Sequence, residues 1–246
     1  MFSFPPFFQM WLQQGFSLAT INQQFVSFLD EAKRLKAHYA SQIILLVGLE
    51  TEFITPRDLE ELEGILERYQ PYVIEYIVGS VHHVNGIPID FDEATYRRSV
   101  ASFSGDTCDS KEDIHGEDNS GRHRRQLEGF LLAYFDAQYE LLQRFKPEII
   151  GHIDLCRLYT PNLKFADFPE VWKRMERNVG YAISYGALFE VNTAAFRKKW
   201  ETAYPGPDVA EASLFSPAHF SELDQKKILF STAYTSTWRE VCIIRR

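Results

Sequence analysis

Residues 43–50 read IILLVGLE, a nearly unbroken apolar run that ends on a glutamate. Its length suits a strand, and a strand with no polar face must be covered on both sides, as strands of a parallel sheet are. Thr55-Pro56-Arg57-Asp58 follows, with an N-cap type, a proline suited to the first helical position and an acid for the first turn. A helix is therefore expected to about Tyr69, and a second strand from about Tyr72 to His82. Strand, helix and strand in this order require a right-handed crossover between parallel neighbours. The chain is constrained to an α/β architecture.

The remainder repeats the same grammar. Phe25, Phe28, Leu29, Ala32 and Leu35 recur at helical spacing within Ile21–Tyr39, and further helices are expected over about Asp92–Ser102, Gln126–Phe145 and Phe168–Asn178. EIIGHID after Pro147 reads as a third strand, and Leu188–Asn192 as the fourth and last clear one. Residues 105–124 are polar and rich in Gly, Asp and Ser, the composition of a disordered surface insertion within one domain spanning 1–246. Periodicity alone does not separate a barrel from a doubly wound sheet.

Charge narrows the partners. A formal net charge of −8 argues against recruitment of nucleic acid or of an anionic membrane by bulk electrostatics. An anionic small molecule stays open, because a few local cations or metal ions can dominate a pocket. Cys108, Cys156 and Cys242 have no paired or metal-type spacing, and MFSFPPFFQMWLQQGF lacks the basic start of a secretory signal. With no apolar stretch of spanning length, these features predict a cytoplasmic protein without a membrane partner.

The polar residues on the expected strands carry the chemistry. Glu50 ends the first, His82 the second, His152 the third and Asn192 the fourth. In parallel α/β folds these ends share one face, where catalytic side chains gather. One carboxylate with two imidazoles suits a Zn, Mn or Fe ion. Blander readings compete: a surface glutamate, and a satisfied core histidine at 152. Alternation along a strand sends His82 and His83 to opposite sides. Asp154 either shares the side of His152 or caps the next turn.

The strings themselves resemble one family. GLETEFI, YIVGSVHHVNGIPIDFD, IIGHIDLCRLY and FEVNTAAFRK with AYPG are similar, in order and interval, to elements of the polymerase-and-histidinol-phosphatase (PHP) family, the second to its histidinol-phosphatase branch. The resemblance covers about Ala32 to Glu211. It implies a distorted (β/α)7-like barrel, a divalent metal site holding Glu50, His82 and His152, and hydrolysis of a small phosphorylated substrate, L-histidinol phosphate, by metal-bound water. It implies Arg197 and His83 as substrate contacts, with Asp154, Asn192 and Glu190 behind the ligands. Glu52 is the less expected of the two early glutamates to touch metal.

The pattern departs at both ends. No histidine precedes His38, where family members carry His-x-His, and SPAH at 216–219 has a proline where their last element has an aspartate. The barrel is therefore expected to be incomplete at both ends, as a misassembled gene or a decayed paralogue would leave it, with activity impaired. A non-catalytic barrel that only binds, or a phosphoesterase with another substrate, are the rival expectations.

Overall fold

The computed structural model describes residues 17–69, 74–103, 119–197, 200–215, 228–231 and 240–245. Strand β1 spans Ile44–Glu50, and its period-two alternation divides its neighbours. Leu45 and Val47 pack with Leu29 and Ala32 of α1 (Leu18–His38) and with Leu62 and Leu66 of α2 (Pro56–Tyr69). Leu46 instead joins Tyr76, Val78, Ile149 and Leu188 in a small separate cluster. Gly48 and Glu50 share that second side by alternation. Helix α2 begins as expected: the Thr55 N–H donates to Asp58 Oδ2 at 2.6 Å, one half of a capping box.

The remaining described elements are β2 (Tyr76–Gly79), the hairpin β3 (His83–Val84) and β4 (Ile87–Pro88), α3 (Glu93–Ala101), α4 (Asn119–Phe145) and β5 (Ile149–Ile150). They continue with α5 (Pro169–Ser184), β6 (Leu188–Asn192), α6 (Ala194–Arg197), α7 (Pro207–Phe215), β7 (Ile228–Ser231) and β8 (Glu240–Arg245). Six strands form one sheet in the order β7-β6-β5-β2-β1-β8. All pair in parallel except β8, which lies antiparallel on β1. The parallel sheet curls into a half-barrel flanked by helices. The main core lies between it and α4 and α5, where Phe130, Leu131, Tyr134 and Phe135 meet Val171, Met175 and Val179.

Several expectations change. The second and third strands are short: β2 covers Tyr76–Gly79 of the expected 72–82, with 70–73 outside the described residues, and β5 covers two residues. Of the expected insertion, 105–118 lie outside the described residues, while Asn119–Arg124 form the first turns of α4. β6 is not the last strand, because β7 and β8 follow it.

Acidic side chains stitch the strands together. Val47 N donates to Glu75 Oε2 at 3.0 Å, and Ile77 N to Glu148 Oε2 at 2.8 Å. Each acid immediately precedes a strand and takes an N–H from the neighbouring one, satisfying a backbone donor that the ladder misses.

Gly48 pairs with Tyr76 in the β1–β2 register. A Cβ built on Gly48 would lie 2.1 Å from the Tyr76 ring, so the tyrosine fills the place of a side chain. Gly48→Ala is expected to lower stability by about 1–3 kcal/mol or more, as overpacking does. A urea titration checks this, and an unchanged midpoint would refute it.

Candidate metal centre

Glu50 is the last residue of β1, and Thr51 and Glu52 follow directly after it. Thr51 is used structurally: its Oγ1 accepts from Ser80 N at 3.0 Å, and its own N–H donates to Val78 O at 2.8 Å. These bonds tie the end of β1 to the end of β2 and bring Glu50 and Glu52 beside His82 and His83.

Glu50 Oε1 lies 3.5 Å from His82 Nε2 and 3.3 Å from His152 Nε2, and the two ring nitrogens are 3.1 Å apart. Both histidines are buried, and Glu50 nearly so. Ligand arms of about 2.1 Å at tetrahedral angles place neighbouring donor atoms about 3.4 Å apart. The three donors therefore already stand at the separations that one ion requires, and their chemistry, one carboxylate and two imidazoles, fits a borderline cation.

Each donor is held from behind. His82 Nδ1 lies 3.0 Å from Glu52 Oε2, and His83 Nδ1 lies 2.9 Å from Glu52 Oε1. Burial pushes the Glu52 carboxyl up, but the adjacent His82 and His83 outweigh it and hold the group well below the usual carboxylate range. His152 takes a positive φ of 20°, a backbone state that side-chain-bearing residues rarely adopt. Its N–H donates to Glu190 Oε2 at 3.0 Å, and Tyr134 Oη donates to its carbonyl at 3.5 Å. Gln138 Nε2 donates to the next carbonyl, that of Ile153, at 3.3 Å. Strand β6 and helix α4 thus fix the loop that carries His152.

The other expected residues lie as follows. Asn192 ends β6, donates to Glu190 Oε1 at 3.2 Å and accepts from Ala194 N at 2.8 Å, which starts α6. Arg197 ends that helix on an exposed face. Asp154 is fully buried and turns Oδ2 to Arg157, at 3.0 Å from Nε and 2.7 Å from a terminal nitrogen, and to Gly206 N at 2.7 Å. Arg157 is gripped on its other edge by Asp208 at 2.7 and 3.0 Å. His83 meets the same carboxylate as His82, contrary to the expected alternation, because the pair begins after β2 has ended at Gly79. Sequence reasoning missed the bridging place of Glu52 and the buried Arg157.

The PHP domain family model matches residues 8–194, about three quarters of the chain. The chain belongs to the PHP family. Within it, a Schizosaccharomyces pombe protein named probable histidinol-phosphatase is 40% identical over 184 residues, covering 74% of this chain and 53% of its own length. The Saccharomyces cerevisiae histidinol-phosphatase is 30% identical over 214 residues, covering 76% and 58% respectively. The chain thus spans a little over half the length of these curated relatives. A Listeria monocytogenes protein, solved as a candidate histidinol phosphatase, superposes with a TM-score of 0.59 at 20% identity, over 85% of this chain and 70% of that one. The likeness shows the PHP barrel fold for this half-barrel. PHP domain enzymes are metal-dependent, and the Glu50, His82 and His152 cluster has the donors to hold an ion.

Proposed function

We propose that this PHP domain is a metal-dependent phosphomonoester hydrolase acting on L-histidinol phosphate, giving L-histidinol and phosphate. The cluster of Glu50, His82 and His152 carries the reading, supported by relatives named histidinol-phosphatase at 40% and 30% identity. A bound Zn, Mn or Fe ion would supply Lewis acidity toward phosphate oxygens and a water acidic enough to ionise near neutral pH.

The chain's own groups then have separate tasks. Glu50, His82 and His152 would hold the ion, with both imidazole rings buried. Glu190, with Asn192 behind it, anchors the backbone at His152. Arg197 offers a planar guanidinium at the end of α6, suited to meeting two phosphate oxygens at once. His83 is our candidate for a contact to the substrate, and Asp154 steadies the loop after His152 through Arg157. No described helix is long and apolar enough to cross a membrane, and we place the activity in the cytoplasm.

Phosphate release from L-histidinol phosphate, followed colorimetrically, tests the reading. The expected result is release that depends on added Mn or Zn, is removed by a chelator, and exceeds release from a nucleotide or sugar phosphate panel. Equal release from the whole panel would refute the assigned substrate. No metal-dependent release at all would refute the hydrolase. Arg197→Met is expected to raise KM for the phosphate ester, since it removes a charge that meets substrate before and during reaction. An unchanged KM would remove Arg197 from the site.

A further inference from the structure

Glu52 bridges two consecutive imidazoles. Its Oε2 faces His82 Nδ1 at 3.0 Å, its Oε1 faces His83 Nδ1 at 2.9 Å, and Oε1 also accepts the His82 backbone N–H at 3.3 Å. An ionised carboxylate only accepts hydrogen bonds, so a neutral ring facing it at these distances must carry its proton on Nδ1. That leaves a lone pair on Nε2 of each ring. For His82 this is the nitrogen aimed at Glu50 and His152.

We propose that Glu52 is a positioning residue that sets the tautomer of both His82 and His83 and so presents His82 Nε2, without its proton, to a divalent ion. The part of the proposal that concerns the ion rests on the metal-centre reading above; the tautomer does not. A histidine left to itself in water favours the opposite tautomer, with the proton on Nε2. A ring in that state must lose or move a proton before Nε2 can bind a cation, whereas the Glu52-anchored ring need not. A carboxylate behind a ligating histidine also fixes the plane of the ring and strengthens it as a donor. One acid serving two adjacent histidines is permitted here because the pair lies beyond β2, where strand alternation no longer separates neighbouring side chains.

The tautomers are read directly from long-range proton–nitrogen correlation spectra of metal-free protein labelled with 15N-histidine, at a pH where the rings are neutral. Signals are assigned with His82→Gln and His83→Gln. Wild-type protein is expected to show protonated Nδ1 and bare Nε2 at both rings. Glu52→Gln offers a single acceptor oxygen and is expected to switch at least one ring to the Nε2-protonated form, and Glu52→Asp to retain the wild-type form at one of the two. Nε2-protonated rings in the wild type, or no change in Glu52→Gln, would overturn the assignment.

Zinc affinity, measured against a competing chelator, tests the consequence. Glu52→Gln is expected to bind zinc about 10–100-fold more weakly, with its thermal unfolding in the absence of metal little changed. Switched tautomers with undiminished zinc affinity would overturn the positioning role. A wild type that binds no zinc would instead overturn the metal-centre reading, leaving the tautomer result to stand or fall on its own spectra.

Discussion

His82→Ala protein supplied with Mn or Zn is expected to release phosphate from L-histidinol phosphate at least about 100-fold more slowly than the parent chain. Loss of a group behind a ligand typically costs about 10–100-fold in affinity or activity, and His82 is proposed as a ligand itself. The alanine removes Nε2, which stands 3.5 Å from Glu50 Oε1 and 3.1 Å from His152 Nε2, and leaves two of the three donors found among the described residues. Metal analysis of the purified variant should show a matching loss of bound ion. Its circular dichroism should stay near that of the parent, because His82 lies outside the strands and the apolar clusters. A variant with parental turnover and metal content would refute both the centre and the function built on it.

The second large effect concerns stability. Arg157→Met is expected to destabilise the fold by about 3–5 kcal/mol, the usual cost of removing one partner from a buried ion pair. Burial disfavours the Arg157 charge, but Asp154 and Asp208 outweigh it and hold the guanidinium firmly protonated. Removing it strands the fully buried Asp154 with Gly206 N as the remaining donor of those that meet Oδ2. Urea denaturation checks the size. The double variant Arg157→Met with Asp154→Asn should recover part of the loss, since no carboxylate is then left stranded. Equal losses in the single and double variants would show that packing against Phe165 and Trp200, rather than charge, is what Arg157 supplies.

The fold is legible where local signals are strong. IILLVGLE admits little but a buried strand, and β1 runs Ile44–Glu50. Helix α2 spans Pro56–Tyr69, where proline, Asp58 and the leucine spacing put it, and β6 matches Leu188–Asn192. Legibility fails where partners from elsewhere decide the outcome. EIIGHID contributes a two-residue strand because the chain turns at His152, held by Glu190 and Tyr134 from other elements. ILFS and EVCIIR are short apolar runs whose places as β7 and β8 are decided by distant partners, β6 and β1, rather than by anything local.

The candidate site divides in the same way. Glu50, His82 and His152 stand out because each closes or follows an apolar run, and the structure brings all three together. Glu52 is obscure in sequence because its meaning depends on two histidines thirty residues away. Arg157 resembles an ordinary turn cation until Asp208, fifty-one residues on, closes over it. Pairings of this kind are invisible to spacing.

The contact between Gly48 and Tyr76 has a consequence for descent. The ring of Tyr76 occupies the volume that a side chain at position 48 would take. Any lineage that gains a side chain at 48 must shrink residue 76, and one that shrinks 76 first opens a void. Neither order is neutral by itself, so the two positions are bound by epistasis: each single step is penalised, and the pair of steps together costs less than the sum of its parts. Such positions should change together or not at all among descendants of this barrel.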